Sequence, residues 1–275
     1  LMSDGRLKDD GTACARGGCF YSRPEDSELS FKDYSYRLGL SKITSIGNVF
    51  LQFSKGHRPP QINELFRLQK SQVLADLDSE KIDSIELALE NKGNDFFNKL
   101  VFYYSKKKNY IFKNSDSSMV LGGKSRHKGI EIKGAKVLNN SFSVKYALNL
   151  AGHYYDFTNQ DIGVASGNEI DTSPNLFGSI FINFQVSNKL NIEIEQEFMD
   201  EYFTEPSNAY IYKGHNLTNL RTSFEMSDAI NLNLSILNLF DKEYAERADY
   251  SLFTGERFFP GIPLKWRLGI NYKFN

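Results

Sequence analysis

Several aromatic and arginine side chains stand in or near long stretches of the sequence that lack regular hydrophobic alternation. The predicted ligand-binding residues are Arg58, Tyr202, Tyr210, Tyr250, Phe253 and Arg257. Aromatic faces and guanidinium groups together suit a large, anionic, partly aromatic ligand such as a metal chelate. Packing of the rings against one another is the alternative. For Arg58 the alternatives are a solvated loop arginine, or a partner of Glu64 that folds the loop between them.

No pattern indicates catalysis or metal binding elsewhere. The four histidines, at positions 57, 127, 153 and 215, have no ligand spacing and are interpreted as structural. An enzyme would need serine or aspartate groups converging on one of them, and no motif indicates this. We therefore expect neither an enzyme nor a resident metal or cofactor.

The two cysteines, Cys14 and Cys19, lie close together in the Gly-rich stretch GTACARGGCF. This spacing favours a small disulfide, and two unrelated thiols are the alternative. A metal site would need more ligands than the stretch offers.

The totals for the whole chain restrict its class. Its 275 residues carry a net charge of -1, which argues against a nucleic-acid partner, because such proteins carry a basic excess. Mean hydropathy is -0.44. No stretch approaches about 18 uninterrupted apolar residues, so a transmembrane helix is excluded. A membrane β-barrel stays open, because its strands alternate and average to a polar chain. The aromatic content of 14% suits such a barrel.

Period-2 alternation predicts a chain made of antiparallel strands. The predicted strands cover residues 31–42, 47–57, 81–91, 95–112, 126–138, 141–156, 173–186, 189–203, 213–226, 229–240 and 262–274. In the last strand Trp266, Leu268 and Ile270 alternate with polar or small residues. Only the stretch PQINELFRLQK has a brief helical spacing.

The connections between these strands alternate in length. The short ones are 44–47, 91–94, 139–140, 187–189 and 227–229, and the long ones are 58–80, 113–125, 157–172, 204–212 and 241–261. Short turns at one end and long loops at the other are typical of bacterial outer-membrane barrels. The sequence therefore predicts an all-β fold, an antiparallel up-and-down transmembrane barrel in the bacterial outer membrane. Such barrels have even strand numbers, so eleven strands indicate a miscount or an incomplete barrel.

Three segments resemble those of TonB-dependent outer-membrane receptors. GHRPPQINELF is similar to the family's Gly-Phe-Arg-Ala-Pro…Glu-Leu-Tyr segment, although His57 and Pro59 depart from it. NLFDKEY resembles the segment before the last extracellular loop, and PGIPLKWRLGINYKF resembles the closing segment. The residues that carry the resemblance are Gly56, Arg58, Pro60, Glu64, Leu65, Asn238, Leu239, Phe240, Asp241, Tyr244, Gly269, Tyr272 and Phe274.

The resemblance implies a barrel of about 22 strands whose lumen is plugged by an N-terminal domain. This chain would be its C-terminal half without the plug, with residues 1–30 as an extracellular loop and residues 31–275 as strands, long outer loops and short periplasmic turns. The implied activity is active import of a scarce nutrient, most often a ferric siderophore, driven by the TonB complex through the plug region. The implied partners also include outer-membrane lipid and the barrel-assembly machinery, which would recognise the aromatic C-terminal strand.

Other functions stay open at this point. A passive porin-like or specific-solute channel has a similar strand pattern, and a TonB-dependent importer has other substrates available, such as an oligosaccharide or cobalamin. Glu193, Glu195 and Glu197 must face the lumen in any barrel, because lipid does not host carboxylates. They would form a solvated wall that Arg221 partly neutralises, or a contact with the plug.

Overall fold

An eleven-stranded antiparallel sheet forms most of the computed structural model, which describes residues 27–66, 76–113, 119–251 and 254–274. The elements in chain order are β1 (Tyr36–Thr44), β2 (Gly47–Arg58), α1 (Ile62–Phe66), β3 (Glu80–Lys92), β4 (Phe96–Lys113), β5 (Met119–Asn139), β6 (Phe142–Tyr155), β7 (Leu176–Ser187), β8 (Leu190–Met199), β9 (Tyr202–Phe203), β10 (Ile211–Tyr212), β11 (His215–Ser227), β12 (Ile230–Leu237), β13 (Ala245–Ser251), β14 (Gly255–Pro260) and β15 (Lys265–Tyr272). The predicted all-β fold and its eleven strands are confirmed.

Each strand of the main sheet pairs with its neighbour along the chain, in the order β1 to β8, then β11, β12 and β15. The other four strands form two small ribbons, β9 with β10 and β13 with β14, within the long connections. Three predicted boundaries were wrong by four residues or more. β5 begins at Met119 rather than at residue 126, inside the predicted long connection 113–125. β1 begins at Tyr36 rather than at residue 31, and the strand predicted for 189–203 leaves the sheet after Met199.

The two faces of the sheet differ in chemistry because β-branched, aromatic and polar residues alternate along each strand. On one face, apolar side chains lie opposite one another from strand to strand, as in the rung Leu87, Phe102, Ile130 and Leu150. The opposite face is polar. Its side chains on β3 to β8 line a cavity of about 670 Å³, so the polar face is the concave one. We call these the outer and inner faces.

The apolar part of the outer face, the apolar band, ends toward the long loops. Beyond the rung on which Lys128 lies opposite Tyr104, a rung of four charged side chains joins Lys55, Asp83, Lys106 and Arg126. Residues further along the strands toward the long loops therefore lie outside the part of the sheet that suits a hydrocarbon environment.

The sheet is open within the described residues. β1 and β15 each pair on one side only, and they form its two edges. Large apolar side chains on both edges are exposed, including Leu40 at 73% and Trp266 at 70%. No helix in the described ranges combines the length and the apolar character needed to cross a membrane.

Candidate functional site

Arg58 is the centre of an ion-pair cluster at the long-loop end of β2. Its guanidinium holds Glu64 in a bidentate pair at 2.9 and 3.1 Å, and its Nε lies 2.7 Å from Glu80 Oε2. Glu64 also accepts a hydrogen bond from the Gln61 backbone amide at 2.7 Å. The loop after β2 is thus tied back to the start of β3, beyond the apolar band.

The Glu80 carboxylate completes this cluster. It is only 4% exposed, and it accepts hydrogen bonds from the Ile111 backbone amide at 3.0 Å and from Lys107 at 3.1 Å. Burial alone would raise the pKa of Glu80. The hydrogen bonds from Arg58, the Ile111 amide and Lys107 outweigh burial, and they lower this pKa to about 2. Glu80 is therefore charged at any physiological pH.

A small apolar cluster fixes the same loop. Leu65 from α1, Leu77 and Ile111 are each buried and pack together, and Pro60 is buried nearby in the chain. Gly56 lies close to the neighbouring strand, since an added Cβ would stand 3.1 Å from Ile82 Cγ2. The residues of the first family-like segment thus position the loop at its exit from the sheet.

Two tyrosines hold the β13–β14 ribbon against the loops that follow β8. The Tyr202 hydroxyl accepts a hydrogen bond from the Ala248 amide at 2.8 Å and donates to the Ala248 carbonyl at 3.2 Å. Tyr212 does the same with Ala245, at 3.0 Å for both bonds. Burial raises the pKa of both tyrosines, so each hydroxyl keeps the proton that it donates.

Tyr210 and Tyr250 form part of the aromatic surface at this end, where Phe258 and Phe259 of β14 are exposed as well. Their rings stack with centroids 4.7 Å apart and an angle of 15° between the planes. Tyr210 is 42% exposed, whereas Tyr202 is 5% exposed. The three predicted ligand-binding tyrosines therefore differ in accessibility. Tyr210 and Tyr250 have ring surface that a ligand could contact, whereas Tyr202 is buried with its hydroxyl bound to the backbone.

Arg257 and Arg247 flank the buried Asp249 on the β13–β14 ribbon. Both guanidinium groups hydrogen bond to the carboxylate at 2.6 Å, and both side chains keep exposed surface, 63% for Arg247 and 46% for Arg257. Two cations around one carboxylate leave these three side chains with a net positive charge. Tyr250 is next to Asp249 in the chain but alternates to the other face of the ribbon, where its cross-strand partner is Glu256. Phe253 and the cysteines Cys14 and Cys19 lie outside the described residues.

The second family-like segment joins β12 to the ribbon and to β15. Asn238 adopts a positive φ of 50°, and its side-chain amide donates to the carbonyls of Lys242 and Ile262 at 2.9 and 3.1 Å. Asp241 accepts a hydrogen bond from the Leu264 amide at 2.8 Å. Tyr244 covers Gly261, where an added Cβ would come within 2.1 Å of the ring. Leu239 is half-buried between these anchors and Phe240 is exposed.

The end of the chain continues the outer and inner faces. Gly269 lies opposite Asn233 on the inner face. Tyr272 and Phe274 make an edge-to-face contact with ring centroids 4.7 Å apart, and both are exposed.

The acidic ladder of β8 lies on the inner face. Arg221 of β11 contacts Glu193 at 3.3 Å and Glu195 at 2.7 Å, and Asn219 donates to Glu195 at 2.9 Å. Arg221 thus partly neutralises the wall, while Glu197 has no ion-pair partner among the described residues.

A histidine pair on the inner face was missed at the level of the sequence. His127 and His153 are cross-strand partners whose Nδ1 atoms are 2.8 Å apart, and Ser125 contacts the other nitrogen of His127 at 2.8 Å. Sequence spacing gives no signal for this pair because its members are on different strands. Within the described ranges, no three His, Cys, Asp or Glu side chains are grouped to hold a metal ion.

Comparison with solved structures gives the same fold at low sequence identity. The siderophore receptor PiuA from Acinetobacter baumannii matches with a TM-score of 0.74 and 15% identity, over 87% of this chain and 36% of that protein. The ferric yersiniabactin uptake receptor FyuA from Yersinia pestis matches with a TM-score of 0.74 and 14% identity, over 88% and 37%. The copper transporter OprC matches with a TM-score of 0.70 and 14% identity, over 86% and 39%.

The chain thus spans little more than a third of the length of these proteins. They are receptors and transporters, and none is named as an enzyme. A comparison with curated protein sequences gives no match. The sequence model of the family described as "TonB dependent receptor-like, beta-barrel" matches residues 8–239. Proteins of this family reside in the bacterial outer membrane. The chain belongs to the TonB-dependent receptor family, within the β-barrel part.

Proposed function

We propose that the protein carrying this chain imports a ferric siderophore across the outer membrane, with energy supplied through TonB. The observation that carries the proposal is the stacked pair Tyr210 and Tyr250, together with two partly exposed arginines on the ribbon that carries Tyr250, on a barrel of this family. A ferric siderophore is a large, often anionic chelate, and many contain aromatic rings. Stacked tyrosines and guanidinium groups recognise both properties.

The proposal assigns different roles to the predicted residues. Tyr210, Tyr250 and Arg257 contact the ligand, together with Phe253, which is on the same long connection as Tyr250 and Arg257. Arg58 holds Glu64 and Glu80, so we propose that it shapes the mouth rather than binding the ligand with a free guanidinium. Tyr202 acts through the ribbon that carries Tyr250.

The remaining parts of the proposal concern the whole protein. We propose that the chain is the C-terminal half of a barrel whose plug region contacts TonB, that residues 1–30 form an extracellular loop, and that the barrel-assembly machinery recognises β15. The exposed aromatic pair at Tyr272 and Phe274 supports this last assignment.

A growth experiment tests the substrate class. The gene should be induced by iron starvation, and its deletion should slow growth on at least one ferric chelate supplied as the sole iron source. Normal growth of the deletion strain on a panel of ferric chelates, with a defect on an oligosaccharide or cobalamin, would remove iron from the proposal. Uptake that persists without TonB would instead indicate a passive channel.

A paired substitution tests the site. Replacing both Tyr210 and Tyr250 by Ala should weaken binding of the transported chelate by about tenfold, since an aromatic pair contributes roughly 0.5–1.5 kcal/mol beyond its buried area. The matched Tyr210→Phe and Tyr250→Phe protein keeps the rings and should bind nearly as the wild type. If all three proteins bind the chelate with equal affinity in a titration of the purified receptor, the ligand-binding site lies elsewhere.

A further inference from the structure

Basic side chains are gathered on one part of the outer face, directly beyond the apolar band. Successive rungs on β3 to β5 pair Lys81 with Lys108 and Lys108 with Lys124, then Lys106 with Arg126. Lys128 follows on the next rung toward the band, opposite Tyr104. We call Lys81, Lys106, Lys108, Lys124, Arg126 and Lys128 the basic patch. Two carboxylates lie among its rungs, Asp83 on β3 and Asp156, whose backbone amide donates to the Lys124 carbonyl at 2.9 Å.

The charges of the basic patch are not compensated within the described residues. None of its six cations makes an ion pair there, whereas inward-facing Lys107 on the same strand binds Glu80 at 3.1 Å. Like charges directly opposite one another in a sheet are destabilising. Three such charges in a row, on Lys81, Lys108 and Lys124, favour an anion bound from outside.

Aromatic rings lie on the rungs of the patch, Tyr154 opposite Arg126 and Tyr104 opposite Lys128. Arg126 and Lys128 both lie over the Tyr154 ring, at 5.5 and 5.7 Å from its centroid, and Lys106 lies 5.8 Å from that of Tyr104. These cations are thus held at the level where the apolar band ends. Amphipathic aromatic and long basic side chains are the residues that anchor at a membrane interface.

The patch is also local. On the same side of the apolar band, the outer face of β8 and β11 carries Gln196 opposite Thr218 and Phe198 opposite Asn216. If these charges served only to keep the sheet soluble beyond the membrane, charged side chains would be spread over all of its strands. Concentration on three neighbouring strands indicates a defined ligand.

We propose that the basic patch binds the phosphorylated headgroup of an outer-leaflet lipid, with the acyl chains packed on the apolar rungs below it. Phosphate groups match the lysine and arginine donors in charge, and an attached lipid brings apolar surface to the adjoining band. A free anion would gain only the first of these contacts. This proposal rests on the outer-membrane location and on the long loops facing the cell exterior, and not on the transported substrate.

Binding of diphosphoryl lipid A to the full-length gene product, purified in a lipid-free detergent, tests the proposal. The patch variant replaces Lys106, Lys124 and Lys128 by Gln. The control variant replaces Lys99, Lys133 and Lys145 by Gln, which removes the same charge from the inner face of β4 to β6, toward their short-turn end. A basic residue at an anionic membrane surface contributes about fivefold in affinity, so the patch variant should bind on the order of a hundredfold more weakly. The control should bind as the wild type.

Two further probes need no variant. Lipid A from which both phosphates have been removed should bind the wild type weakly, and inorganic phosphate at the same phosphate concentration should not compete with the intact lipid. Equal binding by the patch and control variants would overturn the proposal. So would equal binding of dephosphorylated lipid A. Full competition by inorganic phosphate would also overturn the proposal, because it would show that the basic patch binds a free anion.

Discussion

At the scale of single residues, charged side chains hold the loop after β2 in place. Glu80 receives two side-chain donors and one backbone amide, and Arg58 divides its guanidinium between Glu80 and Glu64. Each group is satisfied by protein rather than by water, which is the condition for keeping a charge in a buried place. The cluster ties β2, the following loop and β4 together at the mouth of the barrel.

Replacing Glu80 by Gln should loosen this part of the mouth. The substitution removes the charge that Arg58 and Lys107 share, and it should lower the local free energy of opening by about 1–3 kcal/mol. Hydrogen exchange of the peptide containing Ile111, in the full-length gene product, should become faster by one to two orders of magnitude. Glu86→Gln is the control, because Glu86 lies on the inner face of the same strand without an ion pair within the described residues.

The same cluster should be insensitive to moderate acid. The pKa of Glu80 is lowered from an ordinary value of 4.5 to about 2. Its stabilising contribution is therefore complete above the ordinary pKa and is lost as the pH falls from there toward 2. Exchange at Ile111, corrected for the intrinsic rate, should stay constant from pH 8 to about pH 5. Loss of protection within that range would contradict the assigned hydrogen bonds.

At the scale of elements, alternation predicted the sheet and failed in the loops. Leu232, Leu234 and Ile236 alternate with polar residues and were correctly placed on a strand. Tyr202 and Phe203 continue the alternation of β8 equally well, yet they pair with β10. Whether such residues join the main sheet or a small ribbon depends on which strand they pair with. Alternation with a period of two contains no information about the partner strand. For the same reason the sequence did not reveal that Glu80 lies beside Arg58, 22 positions away.

The ribbon carrying Tyr250 depends on two hydroxyl groups. Tyr202→Phe leaves the Ala248 amide and carbonyl without the partner seen here, and an unsatisfied buried polar group costs about 1–3 kcal/mol. We expect faster hydrogen exchange at Ala248 and weaker ligand binding, with the main sheet unchanged. Tyr210→Phe removes a hydroxyl that hydrogen bonds to the Tyr250 side chain and not to the ribbon backbone, so it should leave the ribbon intact. If Tyr202→Phe weakens ligand binding while exchange at Ala248 is unaltered, Tyr202 contacts the ligand directly, as the sequence alone suggested.

At the scale of the whole molecule, the sheet combines a lipid-compatible outer face with edges that lipid does not tolerate. The main-chain groups along one side of β1 and one side of β15 have no strand partner in the described structure. In hydrocarbon each unpaired amide or carbonyl costs several kcal/mol, so a stable barrel must pair every edge. The exposed apolar side chains of both edge strands, such as Leu40 and Leu268, add to this cost in water.

We therefore expect the 275-residue polypeptide, expressed by itself, to aggregate or to stay unfolded in detergent. Gel electrophoresis with and without heating is the measurement, because a closed barrel migrates as a compact species that heating converts to a slower one. The full-length gene product, treated in the same way, is the control and should show this shift. Cysteines introduced at Leu40 and Leu268, one on each edge strand, distinguish the two states directly. They should stay unlinked under mild oxidation, since β1 and β15 are not neighbours in the sheet. A heat-modifiable monomer of the short polypeptide, cross-linked between these cysteines, would show that its edges close on each other and would contradict the prediction.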